Sequence, residues 1–254
     1  ASGSLKDCLS CRIAFSGCLP QPAGENPMFR ITETADAQAA AQLLADAVAA
    51  DLRRVLAVSP QAVLAVSGGK SPVAFFEILS RADLDWARVA LTLVDERLVP
   101  TDHTDSNTAL VRQNLLQNRA AAARWIPLIE DDAADLQPER TVRAASAHYR
   151  RPDVLVLGMG ADGHTASLFP QSPQLAAAMS PDCAQPLMYT EPVTAPHGRI
   201  SLTAAEIARV PHLYLAIGGA EKKAVYERAI GEPETYPVGK VLQMAGECGV
   251  YYAD

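Results

Sequence analysis

The run Asp153 to Pro170, DVLVLGMGADGHTASLFP, constrains this chain more than any other stretch. Asp153-Val154-Leu155-Val156-Leu157 is short and almost wholly apolar, which suits a strand buried on both faces of a parallel sheet. Gly158, Gly160 and Gly163 follow at once, so the backbone can turn sharply and approach a bound group closely. Asp162 and His164 sit inside that turn. A carboxylate and an imidazole just past the carboxyl end of a buried strand occupy the usual ligand crevice of an open α/β sheet. The same letters read as GxGxxG, the dinucleotide fingerprint. That motif normally opens the first βαβ unit, and an acidic residue follows about 20 positions later on the next strand. Here it falls past the middle of the chain, and Asp182 lies in a proline-spaced stretch, so a nicotinamide cofactor is not expected.

Three more strand junctions follow the same plan. Ala62–Val66 is a second buried strand, and Ser67-Gly68-Gly69-Lys70-Ser71-Pro72 leads from it into a helix over Val73–Leu79. Free backbone N–H groups at such a junction favour an anion, and the glycines let it come close. The Gly-Lys-Ser letters do not make a nucleotide P-loop, because that motif needs a glycine where this chain has Leu64. Val89–Val94 is a third strand, with Asp95, Glu96 and Arg97 at its end, so these charges are expected to line the same crevice. Arg97 is a bidentate donor suited to phosphate or carboxylate. Leu213–Ile217 is the last clear strand. It runs into Gly218-Gly219 and a helix whose first turn carries Lys222 and Lys223, equally good as point charges for a phosphate.

Between these junctions the pattern predicts helices over Thr34–Leu56, with Leu44, Val48, Leu52 and Val55 as its apolar stripe, over Thr108–Gln117 with Ser106 or Asn107 as cap, and over Ala133–Arg150. His148, near the end of the last of these, suits a helix C-terminus and is given no catalytic role. His103 reads as an exposed loop residue. Trp125–Ile129 and Arg199–Thr203 read as short strands, and Gln171–Pro196 as an irregular flap. In the tail, Pro237-Val238 suits a short helix, and Val250-Tyr251-Tyr252 an edge strand.

The chain has 254 residues, 49% of them apolar, enough for one large α/β domain. A net charge of −7 and the absence of a Lys/Arg-rich run argue against a nucleic-acid surface, and no stretch approaches a transmembrane length. Residues 1–27 differ from the rest and read as a disordered extension or expression remnant, with Met28 as a natural start. Phe15-Ser16-Gly17-Cys18 approximates a lipoprotein cleavage site, but Arg12 interrupts the apolar segment it needs. Cys8-x-x-Cys11 is half a zinc pattern without its second half. The five cysteines do not form a disulfide framework, which points to a reducing compartment.

In chain order, Ser67-Gly68-Gly69-Lys70-Ser71-Pro72, Asp95-Glu96-Arg97 with Val99-Pro100, Asp105-Ser106-Asn107, Gly158 to Pro170, Arg199-Ile200-Ser201-Leu202-Thr203 and Gly219-Ala220-Glu221-Lys222 resemble the 6-phosphogluconolactonase family within the sugar-phosphate isomerase superfamily. The resemblance spans essentially Met28 to Val241. It implies a modified Rossmann-like α/β domain over residues 28–254, an open, mostly parallel sheet with helices on both faces. It also implies cytoplasmic hydrolysis of 6-phosphogluconolactone in the pentose phosphate pathway, with no cofactor or metal, no nucleic-acid or membrane partner, and a monomer or weak homodimer. The site it implies has His164, Asp162 and Arg97 as catalytic residues. Substrate contacts fall to Ser67, Gly68, Gly69, Lys70, Ser71, Asp95, Glu96, Arg97, Asn107, Gly160, Gly163, Arg199 and Lys222. Glucosamine-6-phosphate deaminases share the glycine loop but carry a glutamate just before its proline. Phe169 stands there, and a phenyl ring cannot transfer a proton. A non-catalytic sugar-phosphate sensor would usually carry a DNA-binding helix pair, which no segment resembles.

No serine or cysteine has a nucleophile signature, so water is the expected nucleophile. An ordinary imidazole, titrating near pH 6.5, is available to activate it. His164 is therefore the expected base, with Asp162 orienting it and Glu96 or Asp95 in reserve.

Overall fold

The computed structural model describes residues 29–69, 71–131 and 136–254. The expectations for residues 1–27 and for Lys70 lie outside these residues. A seven-stranded sheet dominates, in the order β1 (Phe29–Thr34), β10 (Cys248–Ala253), β9 (His212–Gly218), β6 (Val154–Gly158), β2 (Ala62–Val66), β3 (Val89–Leu93) and β5 (Arg124–Trp125). Every neighbouring pair is parallel, so all carboxyl ends leave along one edge. The interior strands β2 and β3 are buried at every position, which is why they read as unbroken apolar runs rather than alternating ones.

Parallel connections cross over right-handed as a rule, so the direction of each step sets the face its helices take. The steps from β1 to β2, β3 and β5 all run one way and carry α1 (Ala37–Val58), α2 (Val73–Leu79) and α3 (Asn107–Asn114). The return to β6, β9 and β10 runs the other way and carries α4 (Pro138–His148), α5 (Leu175–Ala178), α6 (Ala204–Ile207), α7 (Ala220–Gly231) and α8 (Pro237–Ala245). Helices thus cover both faces. The winding direction reverses between β6 and β2, and there the loops after the two strands part to leave a crevice. The α1 stripe buries Leu44, Val48, Leu52 and Leu56, and Val55 is only half-buried.

The structure changes several expectations. The first helix starts at Ala37, because Thr34 ends β1, a strand the sequence did not announce; Asp36 caps the helix by accepting from Gln38 N–H at 3.0 Å. The tail strand is longer and interior: β10 lies between β1 and β9, and β1 takes the edge. Trp125–Ile129 pairs as a strand only at Arg124–Trp125. The helix expected over Ala133–Arg150 begins at Pro138, whose ring fits a first helical position. Helix α3 begins at Asn107, one residue early, and Ser106 is its cap. The supposed flap 171–196 contains α5 and β7 (Leu187–Thr190). β7 pairs with β8 (Arg199–Leu202), and β8 pairs with β4 (Asp95–Arg97), in a separate antiparallel three-stranded sheet. This small sheet stands at the carboxyl edge of the large one, joined through Leu202 N–H to Val94 O at 2.9 Å.

Candidate active site

A cavity of about 670 Å³ opens at the reversal point. Its walls come from the loops after β2, β6 and β9, the start of α1, and the small sheet. Ser67 Oγ ties two of these loops by accepting Gly158 N–H at 3.2 Å.

The imidazole of His164 lies on the cavity wall and is fixed from three sides. Its Nδ1 is 2.5 Å from Asp162 Oδ1, which also accepts the His164 backbone N–H at 3.2 Å. Its ring packs on Phe169 with centroids 4.3 Å apart. On the third side is Gly160, where a Cβ would stand 2.2 Å from His164 Cε1 and 2.7 Å from Asp162 Oδ1. Gly160 is therefore required by the pair it faces. With Nδ1–H donated to a carboxylate, Nε2 carries the lone pair, the tautomer a general base needs. The loop is anchored below by Thr165 Oγ1, which donates to Gly158 O at 2.8 Å, and by Ser167 N–H, which donates to Ser201 Oγ at 3.1 Å.

Gly163 does not line the cavity. It adopts φ +76°, and a side chain there would meet the ring of Tyr236 at 2.5 Å, so this glycine serves the seating of α8. Ser67, Gly68, Gly69 and Ser71 do line it. A Cβ on Gly68 would fall 1.8 Å from Asn107 Oδ1, so the Asn107 amide occupies the space that glycine leaves. Asn107 Nδ2 donates to Asp95 O at 2.8 Å, while Oδ1 is buried without a hydrogen-bond partner. The neighbouring lysines part company. Lys222 lines the cavity in the first turn of α7, whereas Lys223 bonds Glu33 at 2.8 Å and lies over the Tyr252 ring.

The charged triplet after β3 also divides. Arg97 and Asp95 reach the cavity, the latter accepting from Ser167 Oγ at 2.5 Å. Glu96 does not. It is 0% exposed, and its carboxylate takes five donors: the N–H groups of Arg97, Asn107 and Thr108 and the hydroxyls of Ser106 and Thr108. Its expected place among the substrate contacts, and its reserve role as base, are corrected: it secures the start of α3. Burial pushes the Glu96 carboxyl above the usual range, while the donors from Asn107, Thr108 and Arg97 pull it back.

Arg97 and Arg199 are directly opposed across β4 and β8. Like charges so placed repel, and the carboxylates of Asp95, Glu96 and Asp105 nearby offset that repulsion. Arg97 Nη1 donates to Asp105 O, and Arg199 Nη1 to the carbonyls of Pro196 and His197, each at 2.6 Å. Burial lowers the Arg199 pKa; the Asp95 charge opposes that shift and the Arg97 charge adds to it. Two positions had no sequence signal as site residues. Phe169 serves in the sequence only to exclude an acid, yet it seats the imidazole. Ser167 reaches Asp95 through a contact between residues far apart in the chain. Among the described residues, one group of potential metal ligands stands together, His103, Asp105 and His197, at the rim beside the arginines.

This α/β fold and site define a class: the chain belongs to the family of glucosamine-6-phosphate isomerases/6-phosphogluconolactonase, whose pattern matches residues 35–249. Within it, a 6-phosphogluconolactonase of Neisseria meningitidis serogroup A is 53% identical over 231 residues, covering 89% of this chain and 100% of that protein. A 6-phosphogluconolactonase of Pseudomonas aeruginosa is 48% identical over 191 residues, covering 74% of this chain and 79% of that protein. The solved structure of a 6-phosphogluconolactonase from Shewanella baltica superposes with a TM-score of 0.80 at 35% identity, covering 89% of this chain and 97% of that one.

Proposed function

We infer that this chain is a 6-phosphogluconolactonase, hydrolysing 6-phospho-D-glucono-1,5-lactone to 6-phospho-D-gluconate in the pentose phosphate pathway. The observation that carries the reading is His164 on the cavity wall, bonded to Asp162, with Phe169 where a ring-opening deaminase needs an acid.

In this mechanism the phosphate rests against the Gly68-Gly69 backbone, Lys222 and Arg97, with Arg199 beside them. The amino end of α7, behind Lys222, adds a favourable dipole. His164 Nε2 takes a proton from water as the water oxygen attacks the lactone carbonyl. Asp162 holds the ring in that tautomer and stabilises the imidazolium that forms. The negative charge developing on the carbonyl oxygen faces the paired arginines, so Arg97 is placed to serve the oxyanion as well as the phosphate. When the intermediate collapses, the ring oxygen leaves and receives the proton from His164.

The reading extends to one catalytic domain over residues 28–254, acting in the cytoplasm as a monomer or weak homodimer on a small molecule, without nucleic acid or membrane. Among the described residues no helix is long and apolar enough to cross a membrane. The decisive assay is proton release from freshly made lactone, corrected for spontaneous hydrolysis, with ammonia release from glucosamine-6-phosphate measured in parallel. Enzyme-dependent acid without ammonia is expected. Ammonia at a comparable rate would overturn the assignment in favour of a deaminase. Ligand protection without turnover of either compound would make the chain a sensor.

A further inference from the structure

We propose that His103, Asp105 and His197 form a binding site for one transition-metal ion of the zinc class, which ties together the two loops that carry the carbonyl anchors of Arg97 and Arg199. The three residues come from two chain segments far apart in sequence. His103 and Asp105 lie in the turns between β4 and α3, and His197 precedes β8. His197 Nε2 is 3.0 Å from Asp105 Oδ2, and His103 Nδ1 is 4.0 Å from the same oxygen. One ligand atom from each residue falls within 4.8 Å of the others. Tetrahedral zinc, with bonds of about 2.0–2.2 Å, sets its ligand atoms roughly 3.4 Å apart, so modest side-chain rotation closes the group on an ion. The two imidazoles stand edge to face, 5.5 Å between centroids at 77°, and so approach the carboxylate from different directions.

The chemistry selects the ion. Two imidazoles and one carboxylate suit zinc and its neighbours, whereas magnesium and calcium prefer an all-oxygen shell. His103 Nδ1 already acts as an unprotonated acceptor, taking Asp105 N–H at 3.1 Å. Its replacement by a metal bond returns one amide to solvent at an open loop. The side chains are 41%, 50% and 28% exposed in the order His103, Asp105, His197, so an ion can enter and water can complete the shell. His197 holds a left-handed backbone at φ +67°, a conformation that costs a non-glycine residue energy and directs its ring across the gap to Asp105. The backbone carbonyls of Asp105 and His197 are the ones that Arg97 and Arg199 bond. An ion here therefore braces the anion end of the cavity from behind. The proposal does not depend on the reaction assigned above.

The test is calorimetric titration of the full chain with zinc chloride in phosphate-free buffer, with magnesium chloride in parallel. Cys8, Cys11 and Cys18 also attract zinc, so the titration is done in a C8S/C11S/C18S background. One zinc per chain and no magnesium binding are expected. His103→Ala combined with His197→Asn, the latter chosen because asparagine tolerates positive φ, should weaken zinc binding by about tenfold or more. Zinc should raise Tm in the parent and not in that double variant, and the zinc-free Tm of each reports whether it is folded. Absence of stoichiometric zinc binding in the C8S/C11S/C18S background, or equal affinity in a folded double variant, would overturn the proposal.

Discussion

Asp162 and Glu96 both follow a buried parallel strand at the same edge of the sheet, and both looked like cavity carboxylates. Asp162 is half-exposed and spends its Oδ1 on an imidazole that faces the cavity. Glu96 is wholly buried and spends both oxygens on the first turn of α3 and its own loop. The difference lies in what surrounds them. The β6 loop is built of glycines, which bring no side chains to be served and leave room for a His–Asp pair. The β4 segment abuts a helix start, where unpaired N–H groups must find an acceptor.

The sharpest way to break this contrast is His164→Ala. General-base catalysis is worth about 10²–10⁴-fold, so kcat should fall by that order with little change in the affinity of a phosphate ligand. The pH profiles of kcat for the parent and the variant should differ, because the base is gone from one of them. A variant with near wild-type kcat and an unchanged pH profile would remove His164 as the base.

Glu96→Ala tests the other half. It leaves three buried N–H groups and two hydroxyls without their acceptor, and each such buried donor costs about 1–3 kcal/mol. A loss on the order of 3 kcal/mol in denaturant unfolding is expected, with kcat per folded molecule within a few-fold of the parent. Stability held while kcat collapses would return Glu96 to the catalytic machinery.

Lys222 and Lys223 make the same comparison on cations. Losing a charge-assisted contact costs about 1.5–3 kcal/mol, so Lys222→Ala should raise KM for the phosphorylated lactone roughly ten- to hundredfold. The smallest effect is expected of Lys223→Ala, whose ammonium serves the exposed Glu33, and its KM should match the parent's. The reverse ranking in steady-state kinetics would exchange their roles.

Four of the seven strands of the main sheet, their glycine junctions and the His164–Asp162 loop were legible because they are local. A strand buried on both faces must be apolar throughout, and a tight loop that approaches a ligand must be rich in glycine. Gly160 and Gly163 carried the same letter for different reasons, however, which became visible only with His164 and Tyr236 in place. β1 went unread, and β10 was read only as a three-residue edge strand, because its interior place rests on a pairing that joins the two ends of the described chain. The small sheet was legible only as the isolated strand Arg199–Thr203, because β4 and β7 lie in stretches that read as loops, and it alone sets Arg97 against Arg199.

The amino-acid sequence by itself determined the α/β alternation, the crevice-forming junctions and the residue types able to hold an anion and move a proton, since those follow from burial period and backbone freedom. Only the tertiary structure decided which charges reach the cavity. Glu96 against Asp162, and Lys223 against Lys222, differ by partners contributed from elsewhere in the fold: the amides of α3 and the carboxylate of Glu33. An ionisable side chain takes its role from the groups that neutralise it, and those are chosen in space, not along the chain.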